Sequence, residues 1–358
     1  MLLKKIQTLH DIRQKSRNAQ FGCSFDKKSF YFFNIGIYEW VCKMEFEAET
    51  EAVLEPSSYF LDPESLRQIC EIFTEGDVSL VREGNSLVMS QGTQLFSMAI
   101  SKQEEKMVKP PNTNGKPFIS LGTVADDVVN MTKMPLKGNM NMESLLVLHP
   151  DLVARQSSSL VALNRKVNWA WFPKEPVLYI EAEVIRYLVK PTLAYNGSCF
   201  RLVSGGVSLV LPKSEPHDTY HYSEGFKSFK DEHCKDHIHV STKSIVDVTD
   251  LVTKLFSDKP TLSGLKFEAT DDGFHIECGD SVALFTHTIH CESEMVPGFI
   301  FHVNSRLLSN LKHVDVEMLY IQFCYRKNVP VQMVLFSDLD KGYDKSDFAC
   351  AVSVQNKT

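Results

Sequence analysis

One arrangement recurs three times along the chain, and it restricts the fold more than any other feature. The first copy starts near Tyr59 with Tyr-Phe-Leu, followed by Asp62-Pro63 and Leu66, Ile69, Cys70 and Phe73 at helical spacing. Asp62 suits a helix cap and Pro63 its first turn. Val78 and Leu80, Leu87 and Met89, then Phe96, Met98 and Ile100 alternate with polar residues. Glu83-Gly84-Asn85 and Gln91-Gly92-Thr93 are hairpin turns between them. The unit is a strand, a helix and a three-stranded meander. A second copy starts at Val177, with a helix over Glu181–Lys190 and strands near Thr192–Tyr195, Cys199–Val203 and Val207–Leu211. A third starts at Phe299, with a helix over Asn304–Lys312 and strands at Met318–Phe323, Val329–Phe336 and Phe348–Val354. The copies begin roughly 120 residues apart, and a repeat of that order decides the architecture.

Weaker copies fill the spaces. Residues 1–18 predict a helix with Leu2, Ile6, Leu9 and Ile12 on one stripe, before strands at Phe21–Phe25, Ser29–Asn34 and Trp40–Glu47. Phe118–Leu121, a short helix over Thr123–Lys133 and strands at Leu145–Leu148, Asp151–Arg155 and Ser159–Leu163 form another, with Trp169 and Trp171 beyond it. His237–Val240, a helix from Lys243 to Phe256 and strands at Leu265–Ala269, Gly273–Cys278 and Val282–His290 form the last. Two polar linkers, Ser101–Lys116 and Lys213–Lys235, separate the pairs. The expectation is an α+β fold of three tandem domains at 1–108, 116–225 and 236–358, each built from two helix-plus-meander halves.

A chain of 358 residues suits two or three domains, and the repeat favours three. No run of eighteen apolar residues exists, so no membrane-spanning helix is expected. The amphipathic N-terminus does not read as a secretory signal. Nine cysteines lie singly with no CxxC pair, which favours a reducing, cytoplasmic setting over a disulfide framework. A net charge of −7 argues against a general basic coat but leaves a locally basic surface open.

Chemical motifs are sparse. There is no GxSxG, Walker A, GxGxxG after a strand or HExxH, so no enzyme and no cofactor are expected. Ser204-Gly205-Gly206 sits at a hairpin turn, and Asp126-Asp127 and Asp271-Asp272 at a helix start and a turn. His217-x3-His221 and Cys234-x2-His237 have metal-like spacing in the second linker, and His287, His290 and Cys291 end a strand. A polar loop and incidental strand histidines explain both sets more simply, and no metal is assigned. A metal-dependent enzyme built on the linker is the remaining reading from another class.

The stretches Phe60–Ile100, Val177–Leu211 and Phe299–Phe336 resemble the bacterial-type DNA sliding clamp, the β-subunit processivity factor of a replicative polymerase. The order of elements and the length are similar from end to end. The resemblance implies a ring with helices lining the hole and sheets outside, closed head to tail as a homodimer. It implies that duplex DNA is encircled without sequence readout, and that polymerase and clamp loader dock through a short linear peptide. Loosely held positive charge would face the DNA. The helix-borne candidates are Lys4, Lys5, Arg13, Lys15, Arg17, Lys133, Arg186, Lys190, Lys254 and Lys312, with Arg67, Lys243 and Arg306 also on predicted helices. The peptide pocket, carried over by position, draws on Met142, Arg155, Ser157, Leu160, Leu262, Val303, Arg306, Pro330, Ala351 and Val352. There the chain departs from the family. The usual Thr-Asp-Gly-His-Arg-Leu is Arg155-Gln-Ser-Ser-Ser-Leu160, the C-terminal Met-Pro-x-Arg is Ala351-Val-Ser-Val354, and the expected tyrosine is Arg306. Such divergence would suit a bacteriophage or another mobile replicon with its own polymerase. Phe96, Met98, Leu255 and Phe256 are the candidates for the dimer seam. A clamp-fold scaffold without a DNA role is the alternative, supported by the altered pocket and the acidic balance.

Overall fold

The structure, a computed structural model, describes residues 20–26, 29–35, 40–44, 57–73, 79–102, 115–134, 145–156, 160–186, 188–205, 207–215, 237–256, 264–279, 282–293, 297–323, 333–338 and 346–353. The predicted first helix and most of both linkers lie outside these residues. The described helices are α1 (Pro63–Ile72), α2 (Asp126–Thr132), α3 (Ala182–Arg186), α4 (Thr242–Leu255) and α5 (Ser305–Leu308), which runs into a 3-10 turn at Ser309–His313. Each follows a strand and precedes a three-stranded meander, so the α+β repeat read from the sequence is present. Gly84 and Gly92 take φ of 59° and 57° at the two predicted hairpin turns, where a side chain would be strained.

Helix α3 stops at Arg186, short of the expected Lys190. The reason is local. Pro191 disfavours helical backbone in the residue before it, and Lys190 adopts φ 44° instead. The helix expected over Asn304–Lys312 likewise divides into α5 and the 3-10 turn. Asn304 caps α5, its Oδ1 accepting from the Arg306 backbone N–H at 2.9 Å.

Contacts gather the chain into two compact units. The first comprises Met1–Val124, Trp169–Glu175 and Glu181–Ser214. Its sheet runs in the order Ser79–Glu83, Ser86–Gln91, Gln94–Lys102, Ser57–Leu61, Gln20–Asp26, Ser29–Ile35, Trp40–Met44, Val207–Pro212, Cys199–Ser204, Thr192–Tyr195 and Ile119–Thr123. Its described strands pair antiparallel, and strand Trp40–Met44 meets Val207–Pro212 through Val41 opposite Val210 and Cys42 opposite Leu209. Phe33, Tyr59, Phe73, Phe200 and Leu209 are buried in this unit.

The second unit comprises Ala125–Asn168, Pro176–Ile180 and Glu215–Thr358. A nine-stranded sheet runs Leu178–Glu181, Leu145–His149, Leu152–Gln156, Leu160–Asn164, Phe348–Ser353, Met333–Ser337, Met318–Phe323, His237–Ser241 and Glu292–Ser293. A four-stranded sheet runs Leu284–His290, Gly273–Gly279, Gly264–Thr270 and Ile300–Asn304. Val147, Leu152, Ala154, Val161, Leu163, Leu335 and Ala349 form one core cluster, with Val177 and Tyr179 packed on it. Helix α2 packs on Leu152–Gln156 and Leu160–Asn164. In the smaller sheet Phe267 stacks on Phe301 at 4.8 Å between centroids, and Phe274 meets both edge-on at 5.7 and 5.8 Å.

Candidate functional site

Strands Leu160–Asn164 and Phe348–Ser353 bring together the two ends of the expected peptide pocket. Leu160 lies directly opposite Val352 and Val161 opposite Ala351 in an antiparallel ladder. Val352 is buried. Arg155, on the adjacent strand, turns inward: it is 2% exposed, and its Nη1 donates to the carbonyls of Thr132 and Met131 at 2.6 and 3.0 Å. The guanidinium therefore satisfies carbonyls at the C-terminal end of α2, where a helix leaves acceptors without partners and favours a cation. A lone charge in the apolar run Leu-Val-Ala-Arg was the sequence signal for this anchoring, which pattern reading alone left unassigned. Val303 sits in the other sheet, opposite Leu265 and fully buried. Arg306 follows it on α5 with a half-buried side chain. Met142, Ser157, Leu262 and Pro330 lie outside the described residues.

The helix-borne cations are distributed unevenly. Lys4, Lys5, Arg13, Lys15 and Arg17 lie outside the described residues. Lys133 follows α2, and its Nζ donates to Asn130 Oδ1 at 2.9 Å. Arg186 ends α3, and Lys190 is exposed beyond it. Helix α4 carries Lys243 and Lys254 alongside Asp247 and Asp250. Lys243 pairs with Asp247 at 3.5 Å, and Lys312, from the 3-10 turn after α5, approaches Asp250 at 3.8 Å. Lys254 is exposed in the last turn of α4, where a cation complements the helix dipole. The described helices thus mix both signs of charge. Asp126 and Asp127 at the start of α2, and Glu64 and Glu71 of α1, offset much of the positive charge.

The seam candidates divide between surface and core. Strand Gln94–Lys102 pairs with Ser86–Gln91 along Gln94–Ala99, and with Ser57–Leu61 only at Ile100–Lys102. The second edge of Gln94–Ala99 carries no strand among the described residues, so its backbone groups are available for pairing. Met98 is in the core and Phe96 half-buried, while Leu95, which the alternation assigned to neither face, is 70% exposed. Leu255 is 58% exposed and Phe256 packs inward.

Of the strand-end histidines, His290 Nδ1 lies 2.9 Å from Asp272 Oδ2. Hydrogen bonds from Thr270 and His290 hold the Asp272 carboxyl below its ordinary value. Burial and the Asp272 charge push the Cys291 thiol up to about 11, so it is protonated at neutral pH. Among the described residues no group of three His, Cys, Asp or Glu side chains could hold a metal ion. No described helix is long and apolar enough to cross a membrane.

No protein-family model and no curated protein matches the sequence. Solved structures do. The DNA polymerase III β subunit of Thermotoga maritima superposes with a TM-score of 0.73 at 15% identity, covering 99% of this chain and 97% of that one. The C. crescentus β sliding clamp gives 0.75 at 13% identity, covering 99% and 96%. The Helicobacter pylori β clamp bound to a DNA ligase peptide gives 0.67 at 10% identity, covering 99% and 98%. The chain has the fold of these sliding clamps along its whole length.

Proposed function

We propose that this protein is a DNA sliding clamp: a non-catalytic ring that encircles duplex DNA without sequence readout and tethers a replicative polymerase. The observation that carries this reading is the end-to-end likeness to β clamps at 99% coverage, with the helix-and-meander order present around each of the five described helices. Two copies close head to tail, each contributing three domains at 1–108, 116–225 and 236–358. Helices line the hole. Lys4, Lys5, Arg13, Lys15, Arg17, Lys133, Arg186, Lys190, Lys254 and Lys312 supply the cations that draw in phosphate without pinning it. A polymerase and a loader bind through a linear peptide at the ladder joining Leu160 and Val352. Arg155 serves that pocket by holding the end of α2 rather than by touching the peptide. The altered 155–160 and 351–354 sequences give the pocket a preference of its own, as a phage or mobile replicon with its own polymerase would need. The working compartment is the bacterial cytoplasm.

The test is topological. The protein, loaded onto a nicked circular plasmid, should stay bound through a high-salt wash and come off when the circle is cut. Loss at high salt from intact circles would overturn DNA encirclement. The mixed charge of α1, α2 and α4 favours a second reading, a clamp-fold scaffold with no DNA role, and that outcome would select it.

A further inference from the structure

The first unit carries a cleft that none of the residues assigned above to DNA, peptide or seam lines. In the first unit, Lys116, Pro117, Ile119, Trp171, Pro173 and Lys174 line an open cleft of about 390 Å³. Tyr195, Asn196 and Gly197 close one side. The volume suits one or two large side chains. The cleft is preformed. The Ala170 N–H donates to the Leu121 carbonyl at 2.8 Å, and Lys213 pairs with Glu175 at 3.0 Å, so the segment bearing Trp171 is fixed at both ends. Asn196 Oδ1 accepts from the backbone N–H groups of Ser198 and Cys199 at 3.1 and 2.8 Å, which sets the turn. Tyr195 Oη donates to the Gly197 carbonyl at 2.7 Å.

The walls leave apolar surface uncovered. Trp171 is 37% exposed and Ile119 45% exposed, with the rings of Pro117 and Pro173 beside them. Rigid aromatic and proline surfaces bind with little loss of side-chain entropy. The rim is positive. Lys116 and Lys174 are exposed, and the one carboxylate of the lining, Glu175, is already neutralised by Lys213. On a chain of net charge −7 this is a local reversal of sign. One wall donor also lacks a partner among the described residues: Asn196 Nδ2, in a side chain 6% exposed.

We infer that this cleft docks an acidic linear peptide, seating an aromatic or large aliphatic side chain against Trp171 and Ile119 with carboxylates toward Lys116 and Lys174. The site does not rest on the clamp reading, since it needs only the local structure of the first unit. It would give the protein a second partner contact, independent of the Leu160–Val352 ladder.

The probe is a fluorescein-labelled Asp-Glu-Leu-Phe-Asp-Glu peptide, followed by anisotropy with the full chain. Its binding should fall at least tenfold in Trp171→Ala and in the surface double variant K116E/K174E, and should weaken with salt. Lys-Lys-Leu-Phe-Lys-Lys and Asp-Glu-Ala-Ala-Asp-Glu should each bind at least tenfold more weakly. In a W40F/W169F background, where Trp171 is the remaining indole, emission should shift to the blue on binding. Equal binding of the basic peptide, or full binding in K116E/K174E, would overturn the proposal. Displacement of the probe by a twelve-nucleotide oligo-dT that binds more tightly would overturn it in favour of a nucleic-acid site.

Discussion

Arg155 Nη1 donates to the Thr132 carbonyl at 2.6 Å, joining a central strand of the second unit to the end of helix α2. The same nitrogen reaches the Met131 carbonyl at 3.0 Å. Arg155→Met keeps much of the side-chain volume but takes the guanidinium from the Thr132 carbonyl, while the Met131 carbonyl keeps the Met134 N–H at 3.4 Å. A loss of about 3 kcal/mol is expected, from the two charge-assisted bonds and the Thr132 acceptor left without the guanidinium. Urea unfolding measures it; a midpoint within error of the parent would show that water replaces the guanidinium freely.

The seam of the proposed ring makes a separate prediction. Leu95 and Leu255 are exposed apolar residues, Leu95 on the open edge of Gln94–Ala99 and Leu255 at the end of α4. Each is displayed by a well-formed element, so a polar substitution should not disturb folding. Leu95→Glu with Leu255→Glu should convert a dimer of the 40.6 kDa chain to monomer, with unchanged thermal stability of the monomer. Light scattering across a concentration series reads the outcome. Dimers that persist in the double variant would place the subunit contact elsewhere.

The repeat was legible because alternation and helical spacing are local signals. The strand after α3, the turns at Gly84 and Gly92 and the Asp126–Asp127 helix start all follow from neighbours in sequence. Leu160 opposite Val352, and Val210 opposite Val41, were not legible: each pairing joins strands from separate parts of the repeat, and no local pattern specifies a partner. Those pairings also explain why contacts gather the chain into two units where the repeat suggests three domains. Sheets run through the expected boundaries, so strands of the middle copy are shared out between them. Arg155 was legible as a charge and not as an anchor, because its acceptors are backbone carbonyls more than twenty residues away.

Two glycines with positive φ should respond very differently to alanine. At Gly84, φ is 59° and nothing lies within 4 Å of an added Cβ. Gly84→Ala should cost about 1 kcal/mol, the left-handed backbone penalty alone. At Gly273, φ is 144° and the Cβ would fall 2.0 Å from the Ile289 carbonyl oxygen in the paired strand. Gly273→Ala should separate Gly273–Gly279 from Leu284–His290 and cost several times more, or prevent accumulation of folded protein. Thermal melts of the two variants side by side test the contrast, and equal melting temperatures would contradict it.

Cys291 and Asp272 give a prediction in pH. The thiol is pushed up to about 11, first by burial and then by the Asp272 charge. Because the thiolate is the nucleophile, alkylation of Cys291 should be slow at pH 8 and should accelerate about tenfold per unit toward pH 11. Asp272→Asn removes the negative charge, which lowers the thiol pKa and speeds alkylation at any pH below it. Burial remains in the variant, so the thiol should still titrate above its ordinary value of 9.0. Peptide mass spectrometry after timed exposure to iodoacetamide isolates Cys291 from Cys23 and Cys350, whose complete burial keeps them unreactive in the folded chain. A slower Cys291 in Asp272→Asn would reverse the assigned sign and show that the carboxylate aids thiolate formation instead of opposing it.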